Sequence, residues 1–418
     1  MSDAQKLLEQ RNKRVEEACA LKKPDRVPFV PMIGSIPFQL YGITAREVFE
    51  DFSRALPAWK AFLKDFPVDS LLCFTNILPT TSEVKKLLDY TLVQFPGIEL
   101  PDTQSFQFVE KEYVKLEDYP EFLLDPCDWL VRRMVPQVAG NLKGLAKLGN
   151  PNTSIGRGYT TFFNGFVAPF ANDEVWEAMQ RLREAALLHV QAGKAIGQFY
   201  VEAREMGFDA FAQGAAVAPF DLFSDQLRGT VGTMKDMIRK PELLLKACQW
   251  AEDFQVDSIK AMVKNGAQRI FFPLHKGIDS FMSDAQFKKF YWPGLKKLLE
   301  VTAECGAIPA VLMEDSFDTR LEIMKDVAPG RIVYMCEKTD VALAKKVMGE
   351  YACIMGGVPI SLLITSNPQT FKDHVKKVLD VAGRDGGFIL STTTNIDLCP
   401  EANVRALFEA AEEYCGQV

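Results

Sequence analysis

The stretch that decides the fold is ECGAIPAVLMED, Glu304 to Asp315. It opens on the end of a helical pattern and stops at Gly306, the residue type that most readily terminates a helix. It then runs through six residues, Ile308 to Met313, of strand-like character and ends on two adjacent carboxylates. A carboxylate placed in an apolar setting is costly unless it is paired, protonated or bound to a metal. The pair Glu314–Asp315 therefore marks either a solvated turn or the rim of a site. If the strand persists through both, the two side chains point to opposite faces, and periodicity alone does not say which face is inward. One of them could equally cap the helix expected near Thr319.

The same unit recurs on both sides. Upstream, a helix over SDAQFKKFYWPGLKKLLEVTAECG, interrupted at Pro293, follows the strand AQRIFFPLH. That strand follows a helix closing at Gly266, and the strand FDAFAQGAA follows a long helix closing at Gly207. Downstream come RIVYMCEK, YACIMGGV and GGFILSTTT, each followed by a helix pattern, the last being PEANVRALFEA. Short apolar runs alternating with helices mean parallel strands joined by crossovers. Further strands near Val27 to Met32 and in VDSLLCF complete an α/β fold, a (β/α)8 TIM-type barrel, with an open doubly wound sheet as competitor. We read residues 1–418 as one barrel domain. Residues 1–25 form an N-terminal helical extension. Residues 77–165, rich in Phe, Pro and Thr, are an insertion-rich early barrel whose insertions cover the C-terminal mouth.

The bulk properties narrow the class. The 418 residues are 48% hydrophobic and 25% charged with a net charge of −7. Lacking an excess of Lys and Arg, the chain does not read as a nucleic-acid binder. No apolar run reaches the length of a membrane span, and the charged N-terminal helix is no secretory signal. Nine cysteines without a CxxC pair suit a reduced, cytoplasmic protein. The chain contains no GxGxxG fingerprint, P-loop, GxSxG elbow or HExxH helix.

In a barrel, the site forms where strands end and βα loops begin. The residues at those positions are Cys73 to Asn76, Gln213, His275, Lys276, Glu314 to Ser316, Cys336 to Lys338, Gly356, Gly357 and Thr392 to Asn395. Of three histidines, His189 and His374 fall within helices, while His275 ends a strand and suits general acid–base or metal-ligand work. His275 with Glu314 or Asp315 is the catalytic candidate set, against a structural role for His275 bonded to a loop carbonyl. His275, Glu314 and Cys336 form a possible zinc set, although a buried cysteine is more often inert packing. The segment PFDLFSDQLRGT reads as an ordered lid or short helix whose Asp221, Asp225 and Arg228 form a structural ion-pair set. Gly356–Gly357 could receive an anion at a helix N-terminus.

KPDRVPFVP near the start, APFDLFSD at 218–225, FMSDAQFKKFYWPGLKKL at 281–298, and GGFILSTTTNID followed by PEANVRALFEA resemble the uroporphyrinogen decarboxylase superfamily. The resemblance extends over roughly residues 10 to 415. It implies a distorted (β/α)8 barrel with a deep cleft at the strand C-termini. True uroporphyrinogen decarboxylases carry an arginine-bearing motif after the first strand. PMIGSIPFQLYG stands there instead, without the cations a polycarboxylate needs. The other branch moves methyl groups between small substrates and corrinoid cobalt. Its thiol-activating members hold zinc with a His-x-Cys pair and a late Cys. Met313–Glu314–Asp315 and Thr392–Thr393–Thr394 occupy those places.

The resemblance thus implies a cytoplasmic, corrinoid-dependent methyltransferase of the substrate-side, demethylating type. It moves a methyl group from a small, methoxylated or aromatic donor to the cobalamin of a corrinoid protein. Zinc or an acid assists the leaving group. Phe38, Tyr41, Asn76, Phe163, Gln213, Thr393 and Asn395 are the substrate-binding candidates, the aromatics suiting an apolar donor and otherwise serving as packing. The alternatives are a cofactor-free decarboxylase of a small acid and a non-catalytic binding protein on the same fold. Expected partners are the methyl donor and the corrinoid protein, with no nucleic acid or membrane. The protein itself is expected as a monomer or homodimer.

Overall fold

The computed structural model describes residues 2–72, 80–150, 152–155 and 158–417. Its centre is a ring of parallel strands. Six have regular ladders, in the order β3 (Gly214–Ala215), β4 (Arg269–Leu274), β5 (Ile308–Met313), β6 (Val333–Cys336), β7 (Cys353–Val358) and β8 (Phe388–Thr392). Two short staves close the ring through single parallel bridges. Phe29 pairs with Leu390 of β8, Met32 with Leu72, and Leu71 with Ala210 just before β3. This is the eight-stave (β/α)8 barrel expected from the alternation. Among the described residues the first two staves pair only through these bridges, and Cys73 and Phe74, the end of the expected strand VDSLLCF, lie outside the described residues. A two-stranded antiparallel hairpin, β1 (Val93–Gln94) with β2 (Gln107–Phe108), belongs to the inserted region.

Helices surround the ring. α1 (Asp3–Cys19) is held by a Ser2 capping box. α2 (Asp173–Glu205) leads into β3, and the short α3 (Pro219–Phe223) follows it. α4 (Pro241–Lys264), α5 (Trp292–Glu304), α6 (Val341–Met348), α7 (Pro368–Ala382) and α8 (Glu401–Tyr414) complete the set used below. Among the described residues, no helix is long and apolar enough to cross a membrane.

Strand alternation sorts the side chains into two layers. Ala310 and Leu312 of β5, Val333 and Met335 of β6, Met355 of β7 and Ile389 of β8 pack with Val30, Met32 and Phe211 in the barrel interior. Val311, Met313, Tyr334, Cys336, Ile354 and Leu390 belong instead to the larger cluster shared with the helices. The period of two then answers what the sequence left open: Glu314 continues the inward series of Ala310 and Leu312, while Asp315 falls on the outward series. Asp315 takes a left-handed backbone, φ 64°, which Asp tolerates better than most residues. Neither acid caps the helix beyond, whose first residue is Leu321 and which has no side-chain cap.

Of the π-helical turns among the described residues, an irregularity found disproportionately at functional sites, two adjoin the helices named above. Ser224–Arg228 continues α3, and Phe287–Tyr291 precedes α5. The second is explained locally by Pro293, which lacks an N–H to donate back into the preceding turn.

Candidate active site

The strand ends of β4 and β5 and the first turns after β3 converge on one cleft of about 610 Å³. His275, Lys276, Glu314, Asp315, Glu337, Lys338 and Asp225 line it, with Val217, Phe108 and Ile278 as its apolar side. A volume of this size suits a small ligand. Phe108 and Glu110 come from the inserted hairpin and the chain just after it, so that insertion covers the mouth as the sequence suggests.

His275 ends the inward series of β4 after Phe271 and Pro273. Its ring is held on one side: Nδ1 stands 2.5 Å from Asp225 Oδ2. Its Nε2 is 3.7 Å from Glu314 Oε1, too long for a direct hydrogen bond, so this nitrogen remains directed at the cleft. Lys276 Nζ lies 3.3 Å from Asp225 Oδ1 and 3.9 Å from Glu110 Oε2.

Beneath this pair lies Asp221, fully buried. Its two oxygens accept the backbone N–H groups of His275 at 2.8 Å and Lys276 at 2.9 Å. Tyr291 Oη donates to the same carboxylate at 2.5 Å. Asp221 and Asp225 are one helical turn apart, so both reach the same strand end. Gly277 leaves the room this requires: a Cβ there would come within 2.7 Å of the Tyr291 ring.

The electrostatics follow from burial and crowding. Burial alone would lower the His275 pKa, but the Asp225 hydrogen bond and the fields of Asp221 and Glu314 raise it to about 9. Burial, and secondarily the like charge of Asp225, push the Asp221 carboxyl up to about 6 against the pull of His275. Burial also raises Glu314, which His275 opposes. Tyr291 is pushed well above its ordinary value by burial and by Asp221. Asp315 behaves differently. Its Lys338 partner, 2.7 Å away, lowers its pKa, and its backbone N–H donates to Glu337 Oε2 at 2.5 Å. It is a rim residue paired with Lys338, whereas Glu314 faces His275.

Several sequence candidates lie elsewhere. Gln213 pairs in register beside Arg269, at the start of the strands, and its side chain bonds the backbone of Ala210, Gln268 and Arg269. The stave it sits on continues to Ala215, so Val217 and not Gln213 reaches the mouth. Phe38 is buried in the helix-side core. Tyr41 donates to Asp65, the last residue of its helix, and not into the cleft. Phe163 is 67% exposed, on a short helix of the inserted region. A separate hollow there is lined by Phe166 and Phe170 and shares no residue with the His275 cleft.

Thr393 accepts the Ile360 N–H and lines a neighbouring cleft of about 480 Å³ together with His374, Lys377 and Gly357. Asn395 Oδ1 is buried with no hydrogen-bond partner among the described residues. Asn76 lies outside the described residues. Gly356 and Gly357 both have positive φ, and a Cβ on Gly356 would lie 2.8 Å from the Cys336 carbonyl oxygen. Their role visible here is close strand approach.

The zinc set does not assemble. Cys336 is 2% exposed, on the helix-facing side of β6, and burial raises its pKa strongly. Among the described residues, no group of three or more His, Cys, Asp or Glu side chains stands close enough to hold a metal ion. The donors at the mouth are one imidazole and carboxylates engaged with cations, a poor match to the imidazole- and thiolate-rich sets zinc favours.

Asp221, Asp225 and Tyr291 are the site residues the sequence reading did not select. Of the expected ion-pair set, Arg228 is bound to Asp236 and Glu112 and not to Asp221 or Asp225, which hold the His275–Lys276 strand end instead. The available signal was the four-residue spacing of Asp221 and Asp225 directly after a barrel strand.

Residues 169–414 match the model of the uroporphyrinogen decarboxylase (URO-D) family. Among curated proteins, the chain is similar to the methylcobamide:CoM methyltransferase MtbA of Methanosarcina acetivorans, 25% identical over 244 residues, or 57% of this chain and 68% of that protein. MtbA of Methanosarcina mazei is 24% identical over 244 residues with the same two coverages, 57% and 68%. A solved methyltransferase from Methanosarcina mazei superposes with a TM-score of 0.61 over 97% of this chain and 98% of that one, at 16% identity. At that identity the likeness concerns the fold.

Proposed function

The chain belongs to the uroporphyrinogen decarboxylase family, and from that premise we propose that it is a corrinoid-dependent methyltransferase acting on a small methyl donor, with His275 as the acid that assists the leaving group. The observation that carries this reading is the orientation of His275. One ring nitrogen is occupied by Asp225, the other is directed at a small-ligand cleft, and the ring stays protonated through neutral pH. The curated relatives, whose names place them with methylcobamide, support methyl transfer over other chemistries of the family. The missing arginine motif after the first strand argues against uroporphyrinogen as substrate.

A corrinoid on a partner protein supplies the nucleophile that takes the methyl group; the cleft of about 610 Å³ has room for the donor alone. This chain's residues do the rest. The apolar side, Phe108, Val217 and Ile278, holds the donor's carbon skeleton and excludes water. The donor's oxygen or nitrogen lies at His275 Nε2. As its bond to the methyl carbon breaks, the electron pair stays on that heteroatom and the Nε2 proton passes to it. Asp225 holds the imidazolium in place, as the orienting carboxylate does in other acid–base pairs. Glu314, with its own raised pKa, is the group nearest Nε2 to return a proton.

The test uses free, chemically reduced cobalamin as acceptor and a panel of methoxylated aromatics and methylated amines as donors, followed by visible absorption. Methylcobalamin formation that is lost in His275→Gln supports the reading. If no donor is turned over and the protein instead releases carbon dioxide from a small acid, it is a decarboxylase and the reading is wrong.

A further inference from the structure

The face of the barrel opposite the His275 cleft, at the strand N-termini, carries a separate hollow of about 480 Å³. Arg11 and Arg14 of α1, Arg26 and Phe29 at the first stave, and Arg405 and Phe408 of α8 line it. Three of these guanidinium groups have carboxylate partners. Arg14 takes Asp25 at 2.7 Å and the fully buried Asp69 at 2.5 Å, Arg26 shares Asp69 at 2.8 Å, and Arg405 takes Glu401 at 2.6 Å. Arg11 is the exception. It is only 6% exposed, and it forms no ion pair among the described residues.

Arg11 instead donates from Nη1 to the Gly207 carbonyl at 2.7 Å, and its guanidinium carbon lies 4.1 Å from the centre of the Phe208 ring. Both contacts offset part of the cost of burying a cation, but neither brings a negative charge. Burial pulls the Arg11 pKa down to about 10, opposed by Asp69 and aided by Arg26 and Arg14, so the group stays charged at neutral pH. A buried charge without a counterion is the expensive arrangement. Donors are also left over: Arg11 Nε and Nη2, Arg26 Nε and Arg405 Nη1 make no hydrogen bond among the described residues. They belong to three separate elements and approach the hollow from different sides. A tetrahedral oxyanion accepts in several directions at once, whereas a carboxylate accepts in one plane.

We infer that this hollow is an anion site for a phosphoryl group, free or carried by a small monoester, which supplies the counterion of Arg11 and joins α1 to α8 across the barrel floor. Asp65, Glu409 and Glu412, exposed along the same hollow, repel larger polyanions. The floor of such a barrel serves stability and its mouth serves chemistry, so the bound anion acts on the cohesion of the fold.

The test is thermal melting of the full chain in inorganic phosphate against sodium chloride of equal ionic strength, with calorimetric titration for the affinity. The melting temperature is expected to climb with the logarithm of phosphate concentration once the site is half filled. Arg11→Met keeps the aliphatic bulk and removes the charge. It is expected to cut phosphate affinity roughly tenfold or more, with the melting temperature in chloride nearly unchanged. Arg405→Gln alters a side chain that is 54% exposed; it is expected to weaken binding with the fold intact, and it decides the matter if Arg11→Met does not fold. Glycerol 3-phosphate binding more tightly than inorganic phosphate assigns the site to a monoester, and equal affinities assign it to free phosphate. The inference is overturned by a phosphate effect no greater than that of chloride, by an affinity unchanged in both variants, or by an Arg11→Met protein destabilised equally in the two salts, as a purely structural arginine would be.

Discussion

Asp225 engages His275 at Nδ1, at 2.5 Å, which leaves Nε2 as the ring nitrogen without a direct hydrogen bond, 3.7 Å from Glu314. The carboxylate also keeps the imidazole charged, against the effect of burial. Replacing it with an amide separates these two contributions. Asp225→Asn keeps a hydrogen-bond partner but removes the charge. The His275 pKa is expected to fall from about 9 toward the ordinary histidine range, and the alkaline limb of the pH–rate profile should move down with it. Nitrogen-15 NMR titration reads this directly, since only three histidines need assignment. Loss of the acid itself, in His275→Gln, is expected to reduce turnover by roughly 10²–10⁴-fold.

Stability should depend on pH in two windows. The His275 pKa is raised on folding, so its contribution is complete below the unfolded value near 6.5 and is lost as pH rises through about 9. Asp221 is also raised, to about 6. For a carboxyl this means that folding favours its protonated form, and stability attributable to it is lost between the unfolded value near 3.8 and about 6. The melting temperature of the wild type should therefore fall between pH 7 and 9, and that slope should flatten in His275→Gln. An unchanged slope would mean that the imidazole is not charged in the fold.

Tyr291→Phe removes one of three donors to a fully buried carboxylate. The expected cost is about 1–3 kcal/mol, read by urea unfolding. Asp221 should also titrate higher, because the phenol hydrogen bond lowers its pKa. Asp221→Asn is expected to cost more, since the amide turns a donor toward the backbone N–H groups of His275 and Lys276. Both substitutions act through placement of the strand end, so turnover per folded molecule should fall with them.

Cys336 provides the opposite case. It faces the helices from β6, and Cys336→Ala is expected to leave turnover and metal content unchanged while lowering stability by about 1 kcal/mol. A loss of activity in soluble, folded protein would place the thiol back in the site.

Much of the barrel was legible because β4 to β8 are continuous apolar runs closed by glycine-terminated helices. His275 and Glu314 were legible because they end such runs. What could not be read was direction and depth. Gln213 looked like a strand end because small residues follow it, yet the ladder continues past it to Ala215. Phe38 and Tyr41 were selected for aromaticity, which does not distinguish a core ring from a cleft ring. Asp221 and Asp225 resembled any acids beside an arginine, because their partners are backbone amides, a phenol and an imidazole about 50 to 70 residues away. Contacts over such separations leave no local pattern in the chain.

Glu337 and Lys338 line both the His275 cleft and the cleft beside Thr393. The partition between the two chambers thus includes a lysine that is 65% exposed and tied to Asp315 by a surface ion pair. Such a pair is worth at most about 1 kcal/mol, within the reach of thermal fluctuation. Swinging that side chain outward would lower part of the wall between the two chambers, the rest being Glu337, which accepts the Asp315 backbone N–H. That part of the wall is thus set by a solvent-facing rotamer, and not by the rigid staves beneath it.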